Sequence, residues 1–260
     1  MFFPYRDDNP RRHGPPLATL AVIALCTAVF LLVQLPLGPR QGQAYALSFG
    51  FIPAVFFGQA ELPVELARVP AAATLVTSMF SHGGVIHLVG NMWFLWLYGD
   101  NVEDAMGWPR YLLFFLICGI AGTLAHAALD PASRVPLVGA SGAISGVIAA
   151  YLLIWPRANI RVFYWFYFLV GTVNVPAYVV LGLWIGEQLF ALPAAMQAQG
   201  GIAIVAHLGG FATGLALTPV LKRRGVGLLQ SPHSAAFSHS RTRAIRRRGW
   251  SVPEVKRKRD

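Results

Sequence analysis

Leu17 to Leu37 carries no charged side chain, and neither does Leu137 to Trp155. Two further stretches, Pro109–Leu129 and Gly201–Leu221, are broken only by Arg110 and by single histidines. A soluble helix needs a polar face toward water, so runs of this kind have no place in a water-soluble domain. Each is near the ~20 residues that cross ~30 Å of hydrocarbon at about 1.5 Å per residue. Pro176–Leu192, with Glu187 as its single charge, and the shorter, more polar His82–Tyr98 complete the set. The expected fold class is an all-α polytopic membrane protein, a bundle of six transmembrane helices.

Composition agrees. Of 260 residues, 55% are hydrophobic and 12% charged, where soluble domains carry about a quarter charged. Cys26 and Cys118 both fall inside apolar runs, which suits buried thiols and offers neither a disulfide framework nor a CxxC metal pair. The net charge of +10 is not spread like a nucleic-acid-binding face. It crowds into Lys222, Arg223 and Arg224, then Arg241, Arg243, Arg246, Arg247 and Arg248, then Lys256 through Arg259. In a membrane protein such a cluster reads as cytoplasmic retention and contact with anionic lipid, with no nucleic-acid partner. No cleavable signal peptide is expected, because Leu17–Leu37 is long for one and no small-residue cleavage site follows.

Six spans place both termini on one side of the membrane. With the termini inside, only Arg40, Arg68 and Arg134 of the 21 Lys and Arg residues fall outside. The positive-inside rule therefore makes the termini cytoplasmic. The expected organisation is a cytoplasmic segment over 1–16, a six-helix core over 17–222 and a basic, disordered tail over 223–260. The apolar outer loop of about residues 38–81 is expected on the membrane surface. The aromatic run Phe163 to Phe168 is expected to form an interfacial belt before Pro176 starts the fifth span. Small residues at four-residue spacing, Gly142, Gly146 and Ala150, then Gly210 and Gly214, mark faces where helix backbones pack closely.

Polar side chains within a bilayer are costly, so each is a functional candidate. Here they are His82, His87 and Asn91, His126, Ser141 and Ser145, Glu187, and His207. Counted from the outer ends of their spans, His87, Ser141 and His207 each lie roughly 6–9 Å deep, in one shallow layer on one side. His87 and Asn91, at i and i+4, share a face. A serine becomes a nucleophile when neutral imidazole takes its proton, and peptide hydrolysis needs donors for the oxyanion. Ser141 near a helix start has free backbone N–H groups beside it. Asn91 and His87 supply more donors, and Gly142 leaves room for a substrate backbone. No acid is placed to complete a triad. Taken singly, Ser141 suits a helix contact better than catalysis, while His207 equally suits an interhelical hydrogen bond, and His87 with Asn91 a capping or packing role. A zinc site from His82, His87 and His207 is disfavoured, because an i, i+5 spacing splays the first two rings on a helix.

Gly139-Ala140-Ser141-Gly142 resembles the GxSG motif of the rhomboid family of intramembrane serine proteases. Ala206-His207-Leu208-Gly209-Gly210, running on to Gly214, resembles that family's AHxxGxxxG, and His82, His87 and Asn91 resemble its second-helix motif. Ser81 to Arg110 is similar to bacterial members throughout, and the likeness covers about 17–222. The resemblance implies a serine endopeptidase without cofactor or metal, in a bacterial inner membrane. It would cut the transmembrane segments of single-pass or other membrane proteins near the outer face. It implies Ser141 and His207 as a catalytic dyad, and Asn91 and His87, with Gly139 and Gly142, at the oxyanion and substrate site. His82 falls at an accessory place by the mouth of the cavity, with the fifth helix and the loop before the sixth as gate and cap. The chain departs from the pattern twice. The Trp-Arg pair of many members' first outer loop is absent, and the aromatic residue that supports the histidine in some members is Ser145 here. The alternative is a silent relative that escorts membrane helices, which would be expected to have lost Ser141 or His207.

Overall fold

The computed structural model describes residues 2–10, 13–197 and 203–238. Helices run over α1 Leu17–Ala28, extended by a π-helical turn to Gln34, α2 Pro39–Phe49, α3 Pro53–Phe56 and α4 Thr74–Thr77. They continue as α5 Val85–Met106, α6 Trp108–Leu129, α7 Ser141–Ile154, α8 Ala177–Gln197 and α9 Ala203–Leu221. The chain is mostly helical, but not all-α. Strands β1 Phe2–Asp7, β2 Asn159–Phe166 and β3 Leu169–Pro176 form an antiparallel sheet in the order β1-β2-β3.

Among the described residues, four helical stretches are long and apolar enough to cross a membrane: Leu17–Gln34, Trp108–Leu129, Ala177–Met196 and Ile204–Leu221. Ala71–Phe80 with Val85–Met106 makes a fifth only as a pair bent by 80°. Helix α7 is apolar but has just 14 residues, about 21 Å of rise. The helix expected from His82 starts at Val85 and runs on to Met106, carrying Asp100, Glu103 and Asp104 in its last turns. A single residue, Gly107 at φ +85, turns α5 into α6, a conformation that favours glycine.

Helix α7 is the axis, with every residue from Gly142 to Ala150 buried. It packs against α6 and α9 through the small-residue faces read from the sequence. A methyl on Gly210 would run into the Gly142 carbonyl, and one on Gly214 would lie 2.5 Å from the Gly146 oxygen. A methyl on Gly122 of α6 would lie 2.5 Å from the Ala206 oxygen of α9. These three helices touch backbone to backbone, which in lipid supplies the packing attraction that the hydrophobic effect cannot. Helix α8 is peripheral: 11% of its span is buried, against 44% for α6.

The ends of the helices are closed by tertiary partners. The Glu103 carboxylate on α5 accepts from the N–H groups of Ala18 and Thr19, at 2.9 and 2.7 Å, and from the Thr19 hydroxyl at 2.8 Å. It thus serves as the missing N-cap of α1, where Pro16 offers no side-chain oxygen. Leu229 and Gln230 donate their N–H groups to the Leu153 and Ile154 carbonyls, orphans of the last turn of α7. Residues 223–238, expected to be disordered, are therefore tied to the bundle, and Asn159 Nδ2 also donates to the Ser234 carbonyl at 2.6 Å. The cationic stretch from Arg241 to Arg259, with its expected contact to anionic lipid, lies outside the described residues.

The sheet replaces the expected aromatic loop. Ile160 and Val162 of β2 face the core, with Val175 and Val173 of β3 opposite them. Trp93 of α5 donates its indole N–H to the Pro4 carbonyl at 2.8 Å and packs on Phe3 at 4.7 Å. At the other end of β1, Asp7 accepts from the Tyr151 hydroxyl at 2.7 Å and from Asn101 Nδ2 at 2.8 Å. Burial raises the Asp7 carboxyl from 3.8 to about 7, with Asp100 and Asp8 adding in the same direction and the Tyr151 hydroxyl opposing. The folded chain keeps a proton that the unfolded chain gives up. The stability tied to that proton is whole below about pH 4 and is lost as pH rises through about 7. Asp7→Asn keeps the carbonyl acceptor without the charge. Thermal unfolding in detergent is expected to show it about 1–3 kcal/mol more stable than wild type near pH 8 and unchanged near pH 4. Equal stabilisation at both pH values would contradict this account.

Candidate active site

Ser141 is the first residue of α7. The N–H groups of the first turn have no partner within the helix, and the positive end of the helix dipole lies there. The chain reaches this point through Gly139, at φ +125, whose N–H donates to the Ser78 carbonyl at 2.9 Å. A bridge between Phe51 and Leu137 ties the same approach to the loop between α1 and α5. That loop is anchored without a Trp-Arg pair, since Thr77 Oγ1 also donates to the Phe49 carbonyl at 2.7 Å.

His207 stands on α9 next to Ala206, whose carbonyl would lie 3.4 Å from a methyl placed on Gly142. The residues flanking the serine and the histidine are thus in backbone contact. Ser141, Ser145, His87, Asn91, Trp184 and His207 all line one cavity of about 240 Å³ between α5, α7, α8 and α9. The cavity therefore gathers the hydroxyl, both imidazoles and the amide that the sequence singled out.

The tautomer of His87 follows from its neighbours. Its Nδ1 accepts the Gly83 N–H at 3.2 Å, so a neutral ring carries its proton on Nε2. That nitrogen faces Gly139, where an added methyl would sit 2.9 Å from it. Asn91, one turn on, gives one amide hydrogen to the His87 carbonyl at 3.0 Å and has a second to offer. Ser145 is already engaged, its hydroxyl donating to the Ser141 carbonyl at 2.7 Å.

Three of the expected site residues are placed as follows. The Gly139 N–H is taken by the Ser78 carbonyl, and the residue's positive φ leaves space under His87. Gly142 is buried against α6 and α9, so it is a packing position. His82 is not on the helix but in the break before it, its backbone held by the Gln34 amide through bonds of 3.0 and 2.9 Å. Its buried ring sits edge-on to His87 at 5.4 Å, a closeness that helical spacing alone forbade. No three His, Cys, Asp or Glu side chains among the described residues are grouped to hold a metal.

Two residues of the site escaped the sequence reading. Gln188 of α8 places Oε1 2.8 Å from His207 Nδ1, and Trp184 of α8 lies 6.2 Å from the His207 ring at 36°. Trp184 thus offers the aromatic neighbour that Ser145 cannot. Glu187, the polar residue noticed on this helix, is exposed, and His126 is buried on α6 away from the cavity lining. The proposed cap before α9 includes residues 198–202, outside those described.

Residues 70–224 match the family model of the rhomboid domain. The chain is similar to Rhomboid-type serine protease 2 of Emericella nidulans, 31% identical over 170 residues, which cover 62% of this chain and 30% of that protein. It is similar to RHOMBOID-like protein 12, mitochondrial, of Arabidopsis thaliana, 32% identical over 158 residues, 54% of this chain and 43% of that one. Rhomboid protease GluP of Bacillus subtilis is 32% identical over 143 residues, 55% of this chain and 25% of GluP. The chain spans less than half the length of each of these relatives.

If close backbone contact holds Ser141 and His207 together, adding one methyl at the contact should do more harm than adding it elsewhere. Gly210→Ala is expected to lower stability by about 1–3 kcal/mol through overpacking against Gly142. Gly182→Ala on α8, with nothing within 4 Å, should be neutral or stabilising by up to ~1 kcal/mol. Thermal melts of the two variants in one detergent make the comparison, and similar values would count against the contact.

Proposed function

Because the chain belongs to the rhomboid family, we propose that this multi-pass membrane protein is a serine endopeptidase that hydrolyses peptide bonds in or near the transmembrane segments of other membrane proteins. The observation that carries the reading is the shared cavity, in which Ser141, His207, His87 and Asn91 meet from three helices.

The steps follow from the chemistry of those groups. Ser141 Oγ attacks the scissile carbonyl while His207 takes the hydroxyl proton on its Nε2. The oxyanion that forms lies against the free N–H groups at the start of α7, with the Asn91 amide and the His87 Nε2–H as further donors. The imidazolium then gives its proton to the departing amine, leaving an acyl ester on Ser141. Water, deprotonated by the same ring, frees the acid and restores the hydroxyl. Preorganised donors suit a bilayer, where water cannot solvate the developing charge.

The finer topology belongs to the same proposal. Helices α1, α5, α6, α7, α8 and α9 serve as six spans, with α7 short because its start is recessed below the outer surface. Strand β1, the β2–β3 hairpin and residues 223–238 gather at one end of the bundle. Arg6, Arg157, Arg161 and Lys222 belong to those segments or adjoin them, which supports a cytoplasmic face there and a cavity open to the other side.

The test is cleavage of a model transmembrane substrate by purified protein, together with mapping of the residue modified by a fluorophosphonate probe. Label on Ser141 and loss of cutting in both Ser141→Ala and His207→Ala are expected. Asn91→Ala should lower kcat by roughly a hundredfold while leaving some activity. Wild type and Ser141→Ala behaving alike would leave the silent, helix-binding reading in its place.

A further inference from the structure

A neutral imidazole has one ring proton, and the nitrogen that holds it decides what the ring can do. To accept a proton from Ser141, His207 must present a bare nitrogen to the cavity and keep its own proton on the other side. In a Ser-His-Asp triad a carboxylate enforces that choice. Among the described residues, none that lines this cavity is acidic.

What faces Nδ1 of His207 is the Gln188 amide, with Oε1 at 2.8 Å. An amide oxygen only accepts, so the bond requires the proton on Nδ1 and leaves Nε2 bare. The reverse arrangement, with the amide nitrogen donating to Nδ1, would put the proton on Nε2 and disable the base. His87 shows the opposite case in the same cavity: its Nδ1 accepts from Gly83, which leaves Nε2 as a donor. One ring is set to donate and the other to accept, each by the partner of its Nδ1.

We propose that Gln188 is a positioning residue that fixes the tautomer and orientation of His207, doing with a neutral amide what a triad does with a carboxylate. Trp184 and Gln188 stand at i and i+4 on α8, so both reach the same ring from one helix face. When the ring takes the serine proton, the Nδ1–H bond to Oε1 becomes charge-assisted and strengthens as the barrier is climbed. An amide also avoids the cost of holding a carboxylate in a membrane-embedded site between turnovers.

The inference rests on the peptidase reading, and the experiment separates the two. The rate of fluorophosphonate labelling at Ser141 and the kcat and KM for a transmembrane substrate are measured for wild type, Gln188→Leu and Gln188→Glu. Gln188→Leu should lower labelling and kcat about ten- to a hundredfold, the worth of one hydrogen bond to a charged ring. Its KM should stay within about twofold, since no substrate contact is removed. Gln188→Glu, which restores an acceptor oxygen, should recover most of the rate. Nitrogen NMR of ring-labelled wild-type protein, with His207 assigned by its loss in His207→Ala, should show the proton on Nδ1. This readout needs no folded Gln188 variant. A labelled wild type with Gln188→Leu reacting equally fast, or a His207 proton on Nε2, overturns the role of Gln188 alone. A wild type that takes no label at Ser141 overturns the peptidase reading, and the NMR result still decides the geometry.

Discussion

Contact between the backbones of α7 and α9 is what the rest of the molecule depends on. Lipid gives apolar side chains no reason to prefer one another, so helices are held by close packing and by the few polar bonds available. Where Gly210 meets Gly142 and Gly214 meets Gly146, nothing larger than hydrogen fits. The same seam places Ala206 beside Gly142, and so brings the neighbours of His207 and Ser141 together. Packing and the candidate chemistry therefore have one origin.

Around that seam several polar groups close helix ends and breaks. Glu103 closes the start of α1, Leu229 and Gln230 close the end of α7, and the Gln34 amide holds the backbone of His82. Each removes an orphan that lipid would leave uncompensated. The cavity brings together Ser141, His87, Asn91 and His207, polar groups placed to meet another chain. The Nδ1 atoms of its two histidines have different partners, a backbone N–H for His87 and an amide oxygen for His207.

Much of this was legible in the sequence. Hydropathy located the long apolar helices α1, α6, α8 and α9 but not the short α2, α3 and α4; glycine spacing located the seam, and the i, i+4 relation of His87 to Asn91 gave their common face. The sheet was not legible, for two physical reasons. Its hairpin turns at Tyr167, φ +51, without the Gly or Asn that marks such turns, and aromatic residues on both faces of β2 hide the alternation of Ile160 and Val162. The break at Gly83 and Gly84, which frees His82 from α5, is short enough to be lost in an apolar run. Gln188 was not legible because a neutral amide hardly changes hydropathy and it sits beside the helix's one charge, Glu187. Glu103 was missed because the helix it caps begins 84 or more residues earlier in the chain.

The pairing of β1 with β2 has a consequence for how the protein is made. Phe2 sits opposite Tyr164 and Asp7 opposite Ile160. During synthesis, strand β1 thus waits for a partner that lies beyond helices α1 to α7. At about 5–20 residues per second the delay is on the order of 10–30 s. Throughout it, the strand that ends up at the sheet's edge has its peptide groups uncommitted. Closure of this sheet is therefore a late step of assembly.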